Sequence, residues 1–458
     1  MEVWPNKEVA MPTRTTVPNV DELVSMEYGH VDRRIFSDEE IFEQELDLIF
    51  GRAWHFLCHE SQIPKRGDFF QTPIGRDNVL TVRQRDGSVK ALLNTCSHRG
   101  NAVCRADEGN TKAFMCTYHG WTYDLAGNLV GVPELNRFYK GDLDKSKHGL
   151  RQVAQLSNYN GFIFATLDET APSLEEFLGP TGRLGIDLLA ARSVEIVPGV
   201  QKFIIDCNWK LAVDNVFDFY HAQITHMSAM NIVTGGKPGV VDTGGATDTL
   251  GNELEIPSAG ASGLDEIAVI GEYGHVISGP TVDAIASPLV DNTWRHRPGV
   301  AERLGPTGLK VAGHPNIFPN TWVSTNGPQI SLRIPISPSQ TEVWWFTFVD
   351  TLASPEVQKM SIWQNNHGFG PAGLFEQEDG ENWAQATLQA QGRKSAQIPQ
   401  LLTMNLGRGK LIREDGLARI EGTSNEHGQL WMYHCWAQWM KGLEWGVLRE
   451  RTMPPDVL

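Results

Sequence analysis

Two short segments carry the residue types that bind metals best. One reads Asn94-Thr95-Cys96-Ser97-His98-Arg99-Gly100 and the other Cys116-Thr117-Tyr118-His119-Gly120-Trp121. Two cysteines and two histidines thus arrive as two mixed pairs, separated by 17 residues, each followed at once or nearly so by glycine. A thiolate and an imidazole two or three positions apart converge on one centre if the backbone turns tightly, and glycine permits that turn. Thiolates suit soft or borderline metals, and imidazole suits zinc and iron. Two readings compete. A structural zinc ion takes two Cys and two His. An iron–sulfur centre can use the same set, with two His replacing two Cys on one iron. Zinc fingers keep the Cys pair apart from the His pair, whereas each loop here mixes them, which favours iron–sulfur. Unrelated core residues would not be expected to fall into matched pairs.

A second constellation lies in Asn208-Trp209-Lys210-Leu211-Ala212-Val213-Asp214-Asn215-Val216-Phe217-Asp218-Phe219-Tyr220-His221-Ala222-Gln223-Ile224-Thr225-His226. Asp218 and His221 sit at i and i+3 and would share a helix face. His221 and His226 sit at i and i+5, which on a regular helix turns about 140° past a full circle. For both to bind one metal, the helix must end, widen or bulge between them, as often happens at functional sites. A helix with a few satisfied histidines is the plain alternative. Iron that activates O₂ commonly uses two His and one carboxylate, with positions left open. The carboxylate must come from elsewhere. The stretch from Gly370 to Trp383 offers Glu376, Glu378, Asp379 and Glu381. Such charge runs usually form a solvated helix face, and charge alone does not choose among the four.

The elements that must position these residues differ along the chain. Residues 1–20, with Pro5, Pro12 and Pro18, read as an extended arm. Ser37 with Glu40 resembles a capping box that starts a helix, and Phe42, Leu46, Ile49 and Phe50 recur at helical spacing. From about 52 to 170, short β-branched runs such as Asn78–Val82 and Gly161–Ala165 suggest a small all-β unit. Residues 175–191 return to helical patterning. The Gly-, Thr- and Ser-rich stretch 232–262 reads as a loop or lid. Gln329–Ile334 alternates cleanly, and Glu342–Val349 follows after Pro335 to Gln340, which suggests antiparallel neighbours. Residues 355–392 and 426–449 look helical. Trp431, Trp436, Trp439 and Trp445 in the latter read as core. The chain is therefore expected to be α+β, divided as 1–51, 52–170 and 171–458.

Composition bounds the function. The 458 residues are 41% hydrophobic, enough for a sizeable core. A net charge of -16 disfavours a general nucleic-acid binder. The start, Met1-Glu2-Val3-Trp4-Pro5-Asn6-Lys7, has no apolar stretch of signal-peptide length, and no apolar run would span a bilayer. The cytoplasm is the expected address, with no membrane partner. Six cysteines are too few for a disulfide scaffold. Cys58, Cys207 and Cys435 read as buried small hydrophobes, and Cys104 as structural.

The motif Cys-x-His-Arg-Gly followed by Cys-x₂-His-Gly-Trp resembles the Rieske motif of aromatic ring-hydroxylating oxygenases. The resemblance extends over nearly the whole chain, including Phe36 to Pro64 and Gly313-His314-Pro315-Asn316-Ile317-Phe318-Pro319. It is similar to the biphenyl, toluene and phenylpropionate dioxygenase large (α) subunits. By that resemblance Cys96 and Cys116 would hold one iron of a [2Fe–2S] cluster, and His98 and His119 the other, with Trp121 packed beside them. His221, His226 and Asp379 would hold a mononuclear Fe(II), Asp379 being the second of two adjacent acids. Asp218 would link His221 to a cluster histidine, His119 of the partner subunit. Two departures stand out: Glu378 replaces the more usual Asp, and the segment from Asn215 to Asp218 is a residue shorter than in naphthalene-type relatives. The implied fold is a small all-β Rieske domain before a larger catalytic domain, in which helices flank an antiparallel sheet. The implied reaction adds both atoms of O₂ to an aromatic ring to give a cis-dihydrodiol. Electrons come from NADH through a reductase and a ferredoxin. A small β-subunit is implied, in an α3β3 assembly.

Val216, Phe217, Phe219, Ala222, Ile224, Met227 and Phe375 would give the iron an apolar pocket suited to an unfunctionalised ring. A carboxylated substrate such as a phthalate would want an arginine, and Arg333 could face either the pocket or solvent. Monooxygenation is an alternative within the class. A pure electron carrier with a Rieske cluster would need only the β unit, so length argues against it. A zinc-bearing scaffold protein is the reading from a third class.

Overall fold

The β-branched and aromatic runs between residues 52 and 170 form short antiparallel strands, where such side chains pack well. Val89–Leu93, Asp77–Arg83, Asp68–Ile74 and Glu108–Asn110 make one sheet, in that order. Gln155–Tyr159, Phe162–Thr166 and His55–His59 make a second. Leu129–Gly131, Thr122–Tyr123 and Phe114–Met115 make a third. The computed structural model describes residues 19–234, 239–241, 243, 245–247, 249–253, 256–258, 265–285, 291–325 and 327–458. Part of the stretch expected to be a loop or lid, and the expected arm up to residue 18, lie outside the described residues, while within that stretch Gly239–Val241 and Ile256–Ser258 pair as two short strands rather than plain loop.

The all-β unit divides its side chains between cores. Phe69, Leu80, Val82, Leu92, Phe114, Trp121 and Tyr123 pack around Cys96 and Cys116. Phe56, Phe70, Phe162 and Phe164 join the main core of the molecule instead. There Phe56 meets Phe346 edge-on at 5.3 Å. The end that carries the Cys/His loops thus has packing of its own, while the opposite face shares its core with the rest of the chain.

Among the described residues, nine strands form one antiparallel sheet. Their order is Val194–Ile205, Gln340–Asp350, Gln329–Ser337, Thr321–Ser324, His314–Ile317, Val276–Pro280, Glu266–Ile270, Leu417–Gly422 and Ile412–Glu414. The two strands expected to pair do so, with Ser331 opposite Trp345. Their separator is tighter than expected. The first strand runs on through Pro335 with a register shift, leaving only Pro338 and Ser339 between them. The alternation of Gln329–Ile334 suggested one wet face, yet Gln329 to Pro335 are all buried. Helix Trp209–Asp214 packs on this strand and helps close it from solvent.

Helix boundaries follow local chemistry. Ser173 and Glu176 form a capping box for helix Leu174–Ala190. Near residue 37 the cap is Asp38, not Ser37. Asp38 accepts from the N–H groups of Glu40 and Ile41 at 2.9 and 3.1 Å. Ser37 is engaged elsewhere, its hydroxyl donating to the carbonyl of Ala390 at 3.1 Å. The expected helix over 355–392 is two, Pro355–Gly368 and Leu374–Ala390. Gly370 between them takes φ +97, a left-handed turn that glycine tolerates. The four tryptophans of 426–449 are buried, as core residues should be. Below the site, Lys210 Nζ lies 2.6 Å from Glu45 Oε1, both fully buried. Trp209 and Trp436 also donate to that carboxylate, at 2.9 and 2.7 Å.

Candidate metal centres and active-site cavity

The two Cys/His segments fold into the same loop. Cys96 N–H donates to Asn101 O and Gly100 N–H to Cys96 O, both at 2.8 Å. Cys116 N–H donates to Trp121 O and Gly120 N–H to Cys116 O, at 2.8 and 2.9 Å. Gly100 and Gly120 take φ +75 and +70, where a Cβ would be strained. Matched glycines therefore give matched turns. Asn94 pins the first loop, accepting from the N–H groups of Val103 and Cys104 at 2.9 and 3.0 Å.

The cysteines lie at the floor and the histidines at the rim. Cys96 and Cys116 are buried, whereas His98 and His119 sit half-buried among exposed neighbours. The two imidazoles stand 4.5 Å apart, and His98 stacks on Trp121 at 4.8 Å. Burial would raise the Cys116 thiol. The Tyr118 N–H, the Asn101 side chain, Cys96 and the His119 N–H together hold it below its ordinary value. The thiolate a metal needs is thereby favoured. A single zinc ion would draw all four donors to one point. Among the described residues, the grouping of three or more donors within 4.8 Å of one another is His221, His226 and Asp379, and not these four. A spread with cysteines at one end and histidines at the other suits a two-iron cluster. His98 Nδ1 is buried without a hydrogen-bond partner, as suits a nitrogen kept for a metal.

The second site depends on a broken helix. Helix Trp209–Asp214 passes into a tight turn, Asn215–Phe217, then into extended backbone at Asp218. Helix Ala222–Thr225 follows, with His221 and His226 at its two ends. Asp218 and His221 do not share a helix face as the i, i+3 spacing suggested. Asp218 stands outside the helix and holds the turn before it, accepting from the N–H groups of Tyr220 and His221 at 2.8 and 3.2 Å. Its other oxygen lies 3.5 Å from His221 Nδ1. The i, i+5 pair converges with one histidine at each end of this single turn, His226 leaving helical backbone at φ -95, ψ 16. The two Nε2 atoms are 3.2 Å apart, and Asp379 Oδ1 is 3.3 Å from each. That oxygen is buried and makes no hydrogen bond.

Tertiary structure separates the four candidate acids. Asp379 faces the paired imidazoles. Glu378 lies behind His226, at 3.0 Å from its Nδ1. Glu376 is buried against Arg333 at 3.3 Å. Glu381 is exposed and accepts from Gln385. Burial would lower the His221 imidazole, but Asp218 and Asp379 hold it up to about 10. Burial would raise Asp218, but His221 and the N–H groups of His221 and Tyr220 hold it below its usual range. A field that retains a proton so firmly will also attract a dication.

A cavity of about 380 Å³ opens onto these donors. Val216, Phe219, Ala222 and Phe375 line it as expected, and Met230 stands there too. Phe217 belongs to the core instead, Ile224 is exposed, and Met227 is not on the wall. Trp322, Phe369 and Trp383 are wall residues that sequence reasoning missed, since they come from a remote strand, an interhelical turn and a remote helix. Arg333 does not face solvent. It is fully buried on the cavity wall, paired with Glu376, with Trp322, Trp345 and Trp383 at 5.0, 5.2 and 5.6 Å. His314, also on the wall, is lowered to about 4 by burial and so is neutral. Its Nδ1 accepts from Thr325 N–H at 3.3 Å, which assigns the proton to Nε2.

Residues 53–155 match the Rieske [2Fe-2S] domain family, and residues 186–442 match the catalytic domain of the ring-hydroxylating alpha subunit. The chain is 37% identical over 455 residues to the biphenyl dioxygenase subunit alpha of Paraburkholderia xenovorans, covering 95% of this chain and 96% of that one. It is 37% identical over 435 residues to the chlorobenzene dioxygenase subunit alpha of a Cupriavidus species, covering 92% and 93%. Its fold matches the crystal structure of naphthalene 1,2-dioxygenase from a Rhodococcus species bound to indole. The TM-score there is 0.76 at 31% identity, over 90% of this chain and 94% of that one. With both domains in this order and relatives matched over almost their full length, the chain belongs to the α subunits of the Rieske non-heme iron aromatic ring-hydroxylating dioxygenases.

Proposed function

We propose that this oxygenase subunit uses Cys96, Cys116, His98 and His119 for its [2Fe–2S] cluster, and His221, His226 and Asp379 for its mononuclear iron. One observation carries the reading: two imidazole nitrogens and one carboxylate oxygen, 3.2–3.3 Å apart, meet on the wall of a largely apolar cavity. Held by these residues, the cluster would supply single electrons and the mononuclear iron the O₂ chemistry that adds both oxygen atoms to adjacent ring carbons, giving a cis-dihydrodiol. The protein's residues do the rest. Phe219, Phe369, Phe375 and Trp322 hold a flat ring and exclude water from it. His314 offers a neutral N–H from the wall.

The substrate in this reading is a neutral aromatic. Arg333 is the one Lys or Arg on the cavity wall among the described residues, and Glu376 already pairs with it. An aromatic carboxylate would compete with Glu376 for it. Asp218, a third exposed, links His221 to His119 of the partner subunit. The rim around His119 carries exposed Met115 and Tyr118, apolar surface that a neighbouring copy would cover. Head-to-tail contact repeated in this way closes a ring. The assembly is a trimer with three small β-subunits, supplied by a ferredoxin and an NADH-dependent reductase. It works in the cytoplasm; among the described residues no helix is long and apolar enough to cross a membrane. The chain divides as an N-terminal segment 1–51, a Rieske domain 52–170 and a catalytic domain 171–458.

The test supplies NADH, reductase, ferredoxin and isotopically labelled O₂ with paired neutral and carboxylated aromatics. The expected product is a cis-dihydrodiol of the neutral ring carrying two labelled oxygens. A single labelled oxygen, or turnover of carboxylates alone, would overturn the reading.

A further inference from the structure

We infer that Glu378, held by Ser228, is a positioning residue for His226, and that one turn of helix Leu374–Ala390 grips this imidazole by both ring nitrogens. The inference rests on the reading that His221, His226 and Asp379 bind iron. Adjacent helix positions point about 100° apart, so two neighbouring acids ordinarily serve different surroundings. Here both reach the same ring. Asp379 Oδ1 lies 3.3 Å from His226 Nε2, and Glu378 Oε2 lies 3.0 Å from His226 Nδ1. Glu378 Oε1 accepts in turn from the Ser228 hydroxyl, two residues beyond His226. A neutral imidazole has one N–H. A carboxylate at Nδ1 places that hydrogen there, leaves the Nε2 lone pair for the metal and makes the ring a stronger donor. The two histidines differ in this respect. Asp218 stands farther from His221 Nδ1, at 3.5 Å, and spends its other oxygen on backbone N–H groups. Glu378 is committed to His226 and to the residue that steadies it.

The test loads Fe(II) anaerobically into the full chain and measures affinity by chelator competition. The electron paramagnetic resonance spectrum with nitric oxide then reads the ligand field. Glu378→Ala should weaken Fe(II) binding about 10–100-fold and alter that spectrum. The visible spectrum of the cluster and the melting temperature should not change. Glu378→Gln keeps an acceptor without the charge and should fall between, and Ser228→Ala should cost less than either. Wild-type affinity and an unchanged nitric oxide spectrum in Glu378→Ala would overturn the inference. So would iron loss that only tracks a lower melting temperature, since that marks a structural role. Asp379→Ala tests the underlying reading separately: if it retains iron, that reading fails whatever Glu378 does.

Discussion

The Cys/His loops and the His221–His226–Asp379 site gather their donors over very different lengths of chain. Cys96 to His119 is one continuous segment, and its two loops repeat the same pair of backbone hydrogen bonds around matched glycines. In the other site, His226 meets an acid 152 residues away in Glu378, with Asp379 beside it. That meeting needs a nine-stranded sheet, a broken helix and a second helix laid across it. The Cys/His end also keeps a small core apart from the main one, whereas the His221–His226–Asp379 site is continuous with the main core through Trp209 and Val216. A locally encoded site depends on turns. A remotely assembled one depends on the packing that holds its parts in register.

The largest expected effect separates the two sites chemically. His221→Ala or Asp379→Ala should abolish turnover and leave the red-brown absorption of the cluster intact. Loss of colour in either variant would mean that the sites are not independent. Next is stability. Glu45→Ala leaves Lys210 charged, buried and unpaired, which should cost about 3–5 kcal/mol. Urea unfolding followed by tryptophan fluorescence should shift, while the bleaching of the cluster should shift less. Coincident shifts would show one cooperative unit and break the comparison. Asp218→Ala is the third case. Both metals should stay bound, while single-turnover electron transfer between centres slows about 10–100-fold, the usual effect of removing a partner that orients a ligand. An unchanged rate would remove Asp218 from the path. The smallest effect lies in the loops. Gly100→Ala adds a Cβ that meets nothing within 4 Å and should cost only the left-handed strain, about 1–2 kcal/mol. Gly120→Ala should cost more, because its Cβ would lie 2.9 Å from Pro133 Cγ. Thermal bleaching of the cluster ranks the two.

Much of the fold was legible because its signals are local. The patterning of 175–191 announced helix Leu174–Ala190, and the tryptophans of 426–449 announced a buried one. Ser37 misled for a tertiary reason. Ser37 and Asp38 are both good caps, and only the carbonyl of Ala390, far along the chain, takes Ser37 out of contention. The strand Gln329–Ile334 was legible, with its neighbour, but not the facing of Arg333. Alternation reports one wet face, but packing on both sides buried it and turned Arg333 inward against Glu376. The cavity walls Trp322, Phe369 and Trp383 gave no signal, because a lone aromatic in a strand, turn or helix reads as ordinary core.

By itself the sequence determined the donor types, the paired loops and the need for a helix break between His221 and His226. Spacing and glycine are one-dimensional properties, and tight turns convert them directly into geometry. Residue type and spacing did not choose among Glu376, Glu378, Asp379 and Glu381; the family resemblance named Asp379, and only the tertiary structure shows physically why the four differ. All four lie within two turns of one helix, and their chemistry is nearly the same. What distinguishes them is the direction each faces once the helix is docked: Asp379 toward both Nε2 atoms, Glu378 behind His226, Glu376 into the core and Glu381 into solvent.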